Sequence, residues 1–178
     1  ITVPEHLIGE ELLIEVFNRS VAGVETEIWC HTCWGNPAQQ SIADEDTTYE
    51  PALEGLFQVD ADVLTFECAS TGGKDLAAIG RIKSDKKVAI GAVNHVKTQV
   101  ETPEDVAALI RKALEHIPVE RLIVTTDCGF GREGLSRRIA FYKMVALVEG
   151  TNLVRRELGL AQAEVRAADP RLTFSFAG

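Results

Sequence analysis

Residues 86–127, KKVAIGAVNHVKTQVETPEDVAALIRKALEHIPVERLIVTTD, hold one complete strand–helix–strand unit. The two outer runs, KKVAIGAV and RLIVTTD, are nearly continuous in apolar residues, the pattern of a strand buried on both faces. Between them Thr102 can cap a helix and Pro103 suits its first position. Glu104 and Asp105 favour the N-terminal dipole, and Val106, Leu109, Ile110, Ala113 and Leu114 form one apolar stripe. A strand, an amphipathic helix and a second buried strand in that order predict a βα crossover in a parallel sheet.

The same alternation extends to both sides. Upstream, DADVLTFEC (60–68) reads as a strand closed by the turn-forming STGGKD, with a brief helix near 74–82. Before it, TEIWCHTCW (26–34) reads as another strand, followed by a short helix over 48–58. From Glu5 to Ala22, Leu7, Ile8, Leu12, Ile14, Val16, Phe17 and Val21 roughly keep a helical period, and Gly23 would end that helix. Downstream, a long helix is expected from Leu135 to Leu158, and the tail AEVRAADPRLTFSFAG can add a last short strand. Four strands separated by helices give an α/β fold of parallel βα units. A (β/α)8 TIM-type barrel takes roughly 250 residues, so 178 residues with four strands make about half of one, although a small open α/β sheet fits the count too. A single domain over 1–178 is expected, with 161–178 as its tail. The glycines of CGFGREG (128–134) have the wrong spacing for either nucleotide-binding fingerprint.

Composition narrows the function classes. A net charge of −9 argues against a general nucleic-acid binder, which needs clustered Lys and Arg. No apolar run approaches the roughly 20 residues needed to span a bilayer, and no basic-then-apolar signal segment opens the chain, so a cytoplasmic protein is expected. The chain opens on ITVPEH and holds a single Met, Met144, which suggests a part of a longer polypeptide. Four cysteines in 178 residues are too few for a disulfide scaffold, so each is a core thiol, a ligand or a nucleophile.

Chemistry concentrates in WCHTCWGN (29–36). On a strand, His31 and Cys33 project to one face and Cys30 and Thr32 to the other. A redox Cys-X-X-Cys pair works at a helix N-terminus, and on an extended strand Cys30 and Cys33 point apart, so pairing of His31 with Cys33 is the better reading. Two more residues stand in equivalent places: Glu67 at the end of the second strand and Cys128 just past the fourth. In parallel α/β arrays the C-terminal strand ends open on one side, where ligands bind. Taken singly, Cys128 can be a core thiol and Glu67 a solvated strand end. Together the four favour a metal, and a sulfur, nitrogen and carboxylate set selects zinc over magnesium or calcium. Two thiolates and a carboxylate make such a zinc a weak activator of water. It is suited instead to lowering the pKa of a substrate thiol, with the carboxylate as the ligand that gives way.

CHTCWGN, DADVLTFECAS and TTDCGFG resemble the His-X-Cys, Glu and Cys ligand segments of cobalamin-independent methionine synthase and its short relatives, among them epoxyalkane:coenzyme M transferase. VETPEDVAALIRKAL and FYKMVALVEGTNLVRRELGL are similar to the helices flanking the last Cys in those relatives, and the likeness runs from about residue 10 to 160. The resemblance implies the C-terminal half of a methionine-synthase-type barrel with His31, Cys33, Glu67 and Cys128 as zinc ligands. It also implies alkyl transfer to a thiol: a methyl group from a methyl-folate to homocysteine or, as the alternative, an alkyl group from an epoxide to coenzyme M. Asp127 matches a family Asp that binds the substrate amino group or orients a ligand, against the plainer role of capping a turn. Where the family has an Asp followed by a proton-donating His, this chain reads AVNHVKTQVE. Asn94 replaces the Asp, and His95, one or two positions from the family His, is either that proton donor or a hydrogen-bonded loop residue. Trp34 is expected in the core and Cys68 facing away from the metal. The family's other substrate contacts lie upstream of this chain, so a missing N-terminal half-barrel or a second copy is the expected partner. A non-catalytic half-barrel with structural zinc is the competing reading.

Overall fold

The computed structural model describes residues 9–34, 48–131 and 135–166. Four strands, β1 (Trp29–His31), β2 (Val63–Glu67), β3 (Lys87–Gly91) and β4 (Leu122–Thr125), form one sheet in the order β1-β2-β3-β4, every neighbouring pair parallel. The helices α1 (Glu10–Val21), α2 (Leu53–Leu56), α3 (Leu76–Arg81), α4 (Pro103–Leu114) and α5 (Arg137–Glu157) alternate with them. This is half of a (β/α)8 barrel.

The registers place Cys30, Leu64, Val88 and Leu122 in one row and His31, Thr65, Ala89 and Ile123 in the next. Because side chains alternate along each strand, these rows point to opposite faces. Leu64, Phe66, Val88 and Ile90 join Leu53, Leu76, Ile79, Ala113 and Ile117 of the helical side in the main core, with Cys30 and Trp34 packed against it. The other face carries His31, Thr65 and Glu67, and Glu67 lies level with Gly91 and Thr125 at the C-terminal edge.

The helix read from TPEDVAALIRKAL forms as expected. Thr102 accepts from the Asp105 N–H, Asp105 reaches back to the Thr102 N–H, and Pro103 opens the helix. Its buried stripe of Val106, Ala107, Ile110 and Ala113 lies against α5, where Gly150 lets the two helices close: a Cβ there would stand 2.6 Å from both the Pro103 carbonyl oxygen and the Val106 Cβ. Gly23 ends α1 with a φ of 79°, a left-handed conformation that glycine adopts without strain.

Two expectations need correction, and a third falls mostly outside the described residues. The first strand is three residues long rather than nine, because β1 is an edge strand with one partner and only single bonds extend the pairing, from Asp62 and Val63 N–H to the Ile28 carbonyl and from Thr32 N–H to the Thr65 carbonyl. The helix expected over 48–58 is a 3-10 turn at Glu50–Ala52, with Pro51 in its first turn, running into the short α2. The tail strand is absent from residues 161–166, and 167–178 lie outside the described residues, as do residues 5–8 of the first expected helix. Among the described residues, no helix is long and apolar enough to cross a membrane.

Candidate metal centre

His31 ends β1, Glu67 ends β2, and Cys33 and Cys128 follow the ends of β1 and β4. The structure brings one ligand atom from each of these four side chains to within 4.8 Å of all the others. The two sulfurs are 3.9 Å apart. Cys30 is turned away into the core side, so CHTC does not form a pair of facing thiols. Cys68 likewise faces the main core and is 1% exposed.

His31 and Glu67 are held by neighbouring residues. His31 is paired in register with Thr65, and its Nδ1 lies 2.6 Å from the Thr65 hydroxyl oxygen. A ring nitrogen engaged there leaves Nε2 as the one that can bind a metal, the usual way in which a neighbouring group sets a ligand's tautomer. Burial holds the His31 imidazole below its ordinary pKa, an effect to which His95 adds and which Glu67 opposes, so the neutral, ligating form is favoured. Glu67 is buried, and one of its carboxylate oxygens accepts the Trp34 N–H at 3.4 Å. Tyr49 ties the two strand ends together: its hydroxyl donates to the Thr32 carbonyl and accepts the Glu67 N–H, both at 3.2 Å. Its ring stacks on Trp34 at 4.0 Å and meets Phe66 edge-on at 5.1 Å. Trp34 therefore belongs to the wall that backs the cluster.

Asp127 precedes Cys128 and is 1% exposed. One carboxylate oxygen accepts the Cys68 and Ala69 N–H groups at 2.8 and 2.9 Å, and the other accepts the Ser70 N–H at 2.7 Å. Burial pushes this carboxyl up to about 7, against the pull of those three donors. The geometry is that of a turn-holding carboxylate, fastening the connection after β2 to the segment after β4. Gly91 makes the approach possible, since a Cβ there would lie 2.2 Å from Asp127 Oδ1 and 2.5 Å from its Cα. His95, 1% exposed, offers a ring nitrogen within 4.8 Å of carboxylate oxygens of Glu67 and Asp127, and its Nδ1 has no hydrogen-bond partner among the described residues. Asn94 accepts the Val96 and Lys97 N–H groups at 2.8 and 3.0 Å, a side-chain turn within the loop that carries His95.

The sequence model of the family described as "Cobalamin-independent synthase, Catalytic domain" matches residues 13–149. The chain belongs to this family. Among curated relatives, the methionine synthase of Saccharolobus solfataricus is 33% identical over 145 residues, and that of Thermococcus kodakarensis 32% over 147. These alignments cover 82% and 83% of the chain but only 40% and 39% of the relatives, so the chain spans about two-fifths of their length. A solved B12-independent methionine synthase from Shewanella sp. W3-18-1, in complex with selenomethionine, matches with a TM-score of 0.69 and 29% identity, over 82% of this chain and 43% of that one. A putative vitamin-B12 independent methionine synthase from Listeria monocytogenes shares the fold, with a TM-score of 0.52 and 17% identity over 81% of this chain and 41% of its own.

The donor set fits zinc. Two thiols, an imidazole and a carboxylate lie close enough to share one ion, and sulfur ligands disfavour the hard cations. Thr65, Tyr49 and Gly91 escaped the sequence reading. Thr65 had a signal, since it stands two residues before Glu67 on the same strand face. Tyr49 had none, because its hydroxyl bridges strands from a distant turn.

Proposed function

We propose that this chain is the metal-binding half of a zinc-dependent thiol alkyltransferase that transfers a methyl group from a methyl-folate to homocysteine, giving methionine. The convergence of His31, Cys33, Glu67 and Cys128 from separate strand ends is the observation that carries the reading. These four side chains would hold zinc, which when bound would lower the pKa of a substrate thiol and so make its sulfur nucleophilic at neutral pH.

The chain's own residues do the rest. Thr65 fixes the His31 ring, and partial burial favours its neutral form. Glu67, whose carboxylate accepts the Trp34 N–H at 3.4 Å, would be the ligand to give way to a substrate thiol. Asp127 holds the Cys68–Ser70 backbone and so keeps the β2 end in register with Cys128, in place of a direct contact with the substrate amino group. His95, buried beside Glu67 and Asp127, would hold the proton that the departing donor takes up. Further substrate contacts come from a complementary half-barrel, covering the open edges of β1 and β4 and the exposed Leu12, Leu13 and Val16 of α1 and Phe141 and Met144 of α5. The protein acts in the reducing cytoplasm, where its thiols remain available to metal.

The test supplies zinc-loaded protein with homocysteine and methyl-folate and, separately, with coenzyme M and an epoxide, and follows the thioether by mass spectrometry. Methylation of homocysteine that stops on chelation and returns with zinc is expected. A thioether formed only from the epoxide reassigns the substrate, and turnover indifferent to chelation contradicts the proposal.

A further inference from the structure

Lys143 lies on α5, outside the metal cluster, with a side chain that is 0% exposed. Its Nζ donates to the Gln99 carbonyl at 2.6 Å and to both Glu101 carboxylate oxygens at 3.1 and 2.9 Å. Glu101 in turn accepts the Asn94 N–H at 3.0 Å, and Asn94 turns the chain by accepting from Val96 and Lys97. The whole connection between β3 and α4 lacks regular structure, so its backbone is held largely by this relay.

An apolar side chain of similar volume would fill the same space without the cost of burying a cation, so stability alone does not account for a lysine here. What a buried ion pair does supply is a single arrangement of the groups it joins. The segment it joins carries His95, whose ring stands against Glu67 and Asp127.

We propose that the Lys143–Glu101 pair is a positioning device: it clamps residues 94–101 to α5 and thereby holds the His95 imidazole in the metal centre. Its consequence for turnover rests on the functional reading above, but the placement of His95 can be measured without any turnover.

The experiment is diethyl pyrocarbonate labelling of the folded protein, read by peptide mass spectrometry at His95 with the half-buried His116 as internal reference. Lys143→Met strands a partly buried carboxylate, so it is paired with the double variant Glu101→Gln/Lys143→Met, which removes both charges and keeps an acceptor for the Asn94 N–H. Labelling of His95 relative to His116 should rise on the order of tenfold in the folded double variant, as expected when a local opening becomes cheap. Lys143→Arg, which keeps the charge, should stay nearer the parent. In the parent itself, hydrogen exchange should show the Asn94, Val96 and Lys97 amides protected. Unchanged His95 labelling in the double variant, or parent amides exchanging as freely as in a peptide, overturns the proposal. Absence of methyl transfer would leave both readouts standing.

Discussion

Gly91→Ala is the substitution that probes fold and site together. Gly91 ends β3 directly beneath Asp127, and the added Cβ would lie 2.2 Å from Oδ1, 2.5 Å from Cα and 2.7 Å from the backbone nitrogen of Asp127. Two of those atoms are backbone, so no side-chain rotation relieves the overlap. Restoring ordinary contact at about 3.4 Å requires the Asp127 backbone to retreat by about 0.9 Å in a tightly packed region. A shift of that size breaks at least one of the hydrogen bonds, now 2.7–2.9 Å long, from Cys68, Ala69 and Ser70 to the carboxylate. Overpacking costs about 1–3 kcal/mol, and each bond to a charged acceptor about 1.5–3 kcal/mol. The expected destabilisation is therefore about 2.5–6 kcal/mol, a large share of the roughly 5–15 kcal/mol that holds a domain together. Cys128 moves with Asp127, and metal–ligand distances tolerate only about 0.2 Å, so zinc affinity should fall as well. Denaturant unfolding of the metal-free protein and zinc titration of the folded one measure the two effects. Gly129→Ala is the control, since its Cβ would meet nothing within 4 Å. A Gly91→Ala protein within about 0.5 kcal/mol of the parent, the range of a neutral surface change, and with undiminished zinc binding, refutes the reasoning.

Other outcomes follow from the same contacts. Thr65→Val removes the hydroxyl beside His31 Nδ1 and should weaken zinc binding by about 10- to 100-fold while leaving the fold intact; competition with a chromophoric chelator measures it. Thr102→Ala deletes the cap of α4 and should cost about 1 kcal/mol in a urea titration. Burial pushes the Cys68 thiol far above its ordinary value. The stability due to its neutral form is thus complete below the unfolded cysteine pKa of about 8.5 and lost as pH rises from there towards the folded value. Urea midpoints should decline across that alkaline range less steeply in Cys68→Ala, and native Cys68 should resist iodoacetamide at pH 8.

The parallel α/β array could be read from the sequence because its strands are short apolar runs and its best helix carries cap, proline and stripe together. The four ligand candidates were readable for a related reason: chemistry in such arrays gathers at the C-terminal strand ends, and His31, Cys33, Glu67 and Cys128 all stand there. What stayed hidden depends on contacts between distant segments. The true length of β1 is set by having a partner on one side only, which no apolar run encodes. For Asp127 the sequence left a substrate contact, a ligand-orienting role and a turn cap open together, and the three backbone N–H groups converging on it come from a segment some 57–59 residues away. Lys143 reads as one more charge on a long helix, and only the fold shows it fully buried against Glu101.

The most direct test of the account is zinc-edge X-ray absorption on the purified protein with its metal content counted. The account predicts one zinc per chain, with two sulfurs at about 2.3 Å and nitrogen and oxygen neighbours at about 2.0–2.2 Å, and a third sulfur entering the shell when homocysteine is added. Protein that binds no zinc, or a zinc shell without sulfur from Cys33 and Cys128, would contradict it.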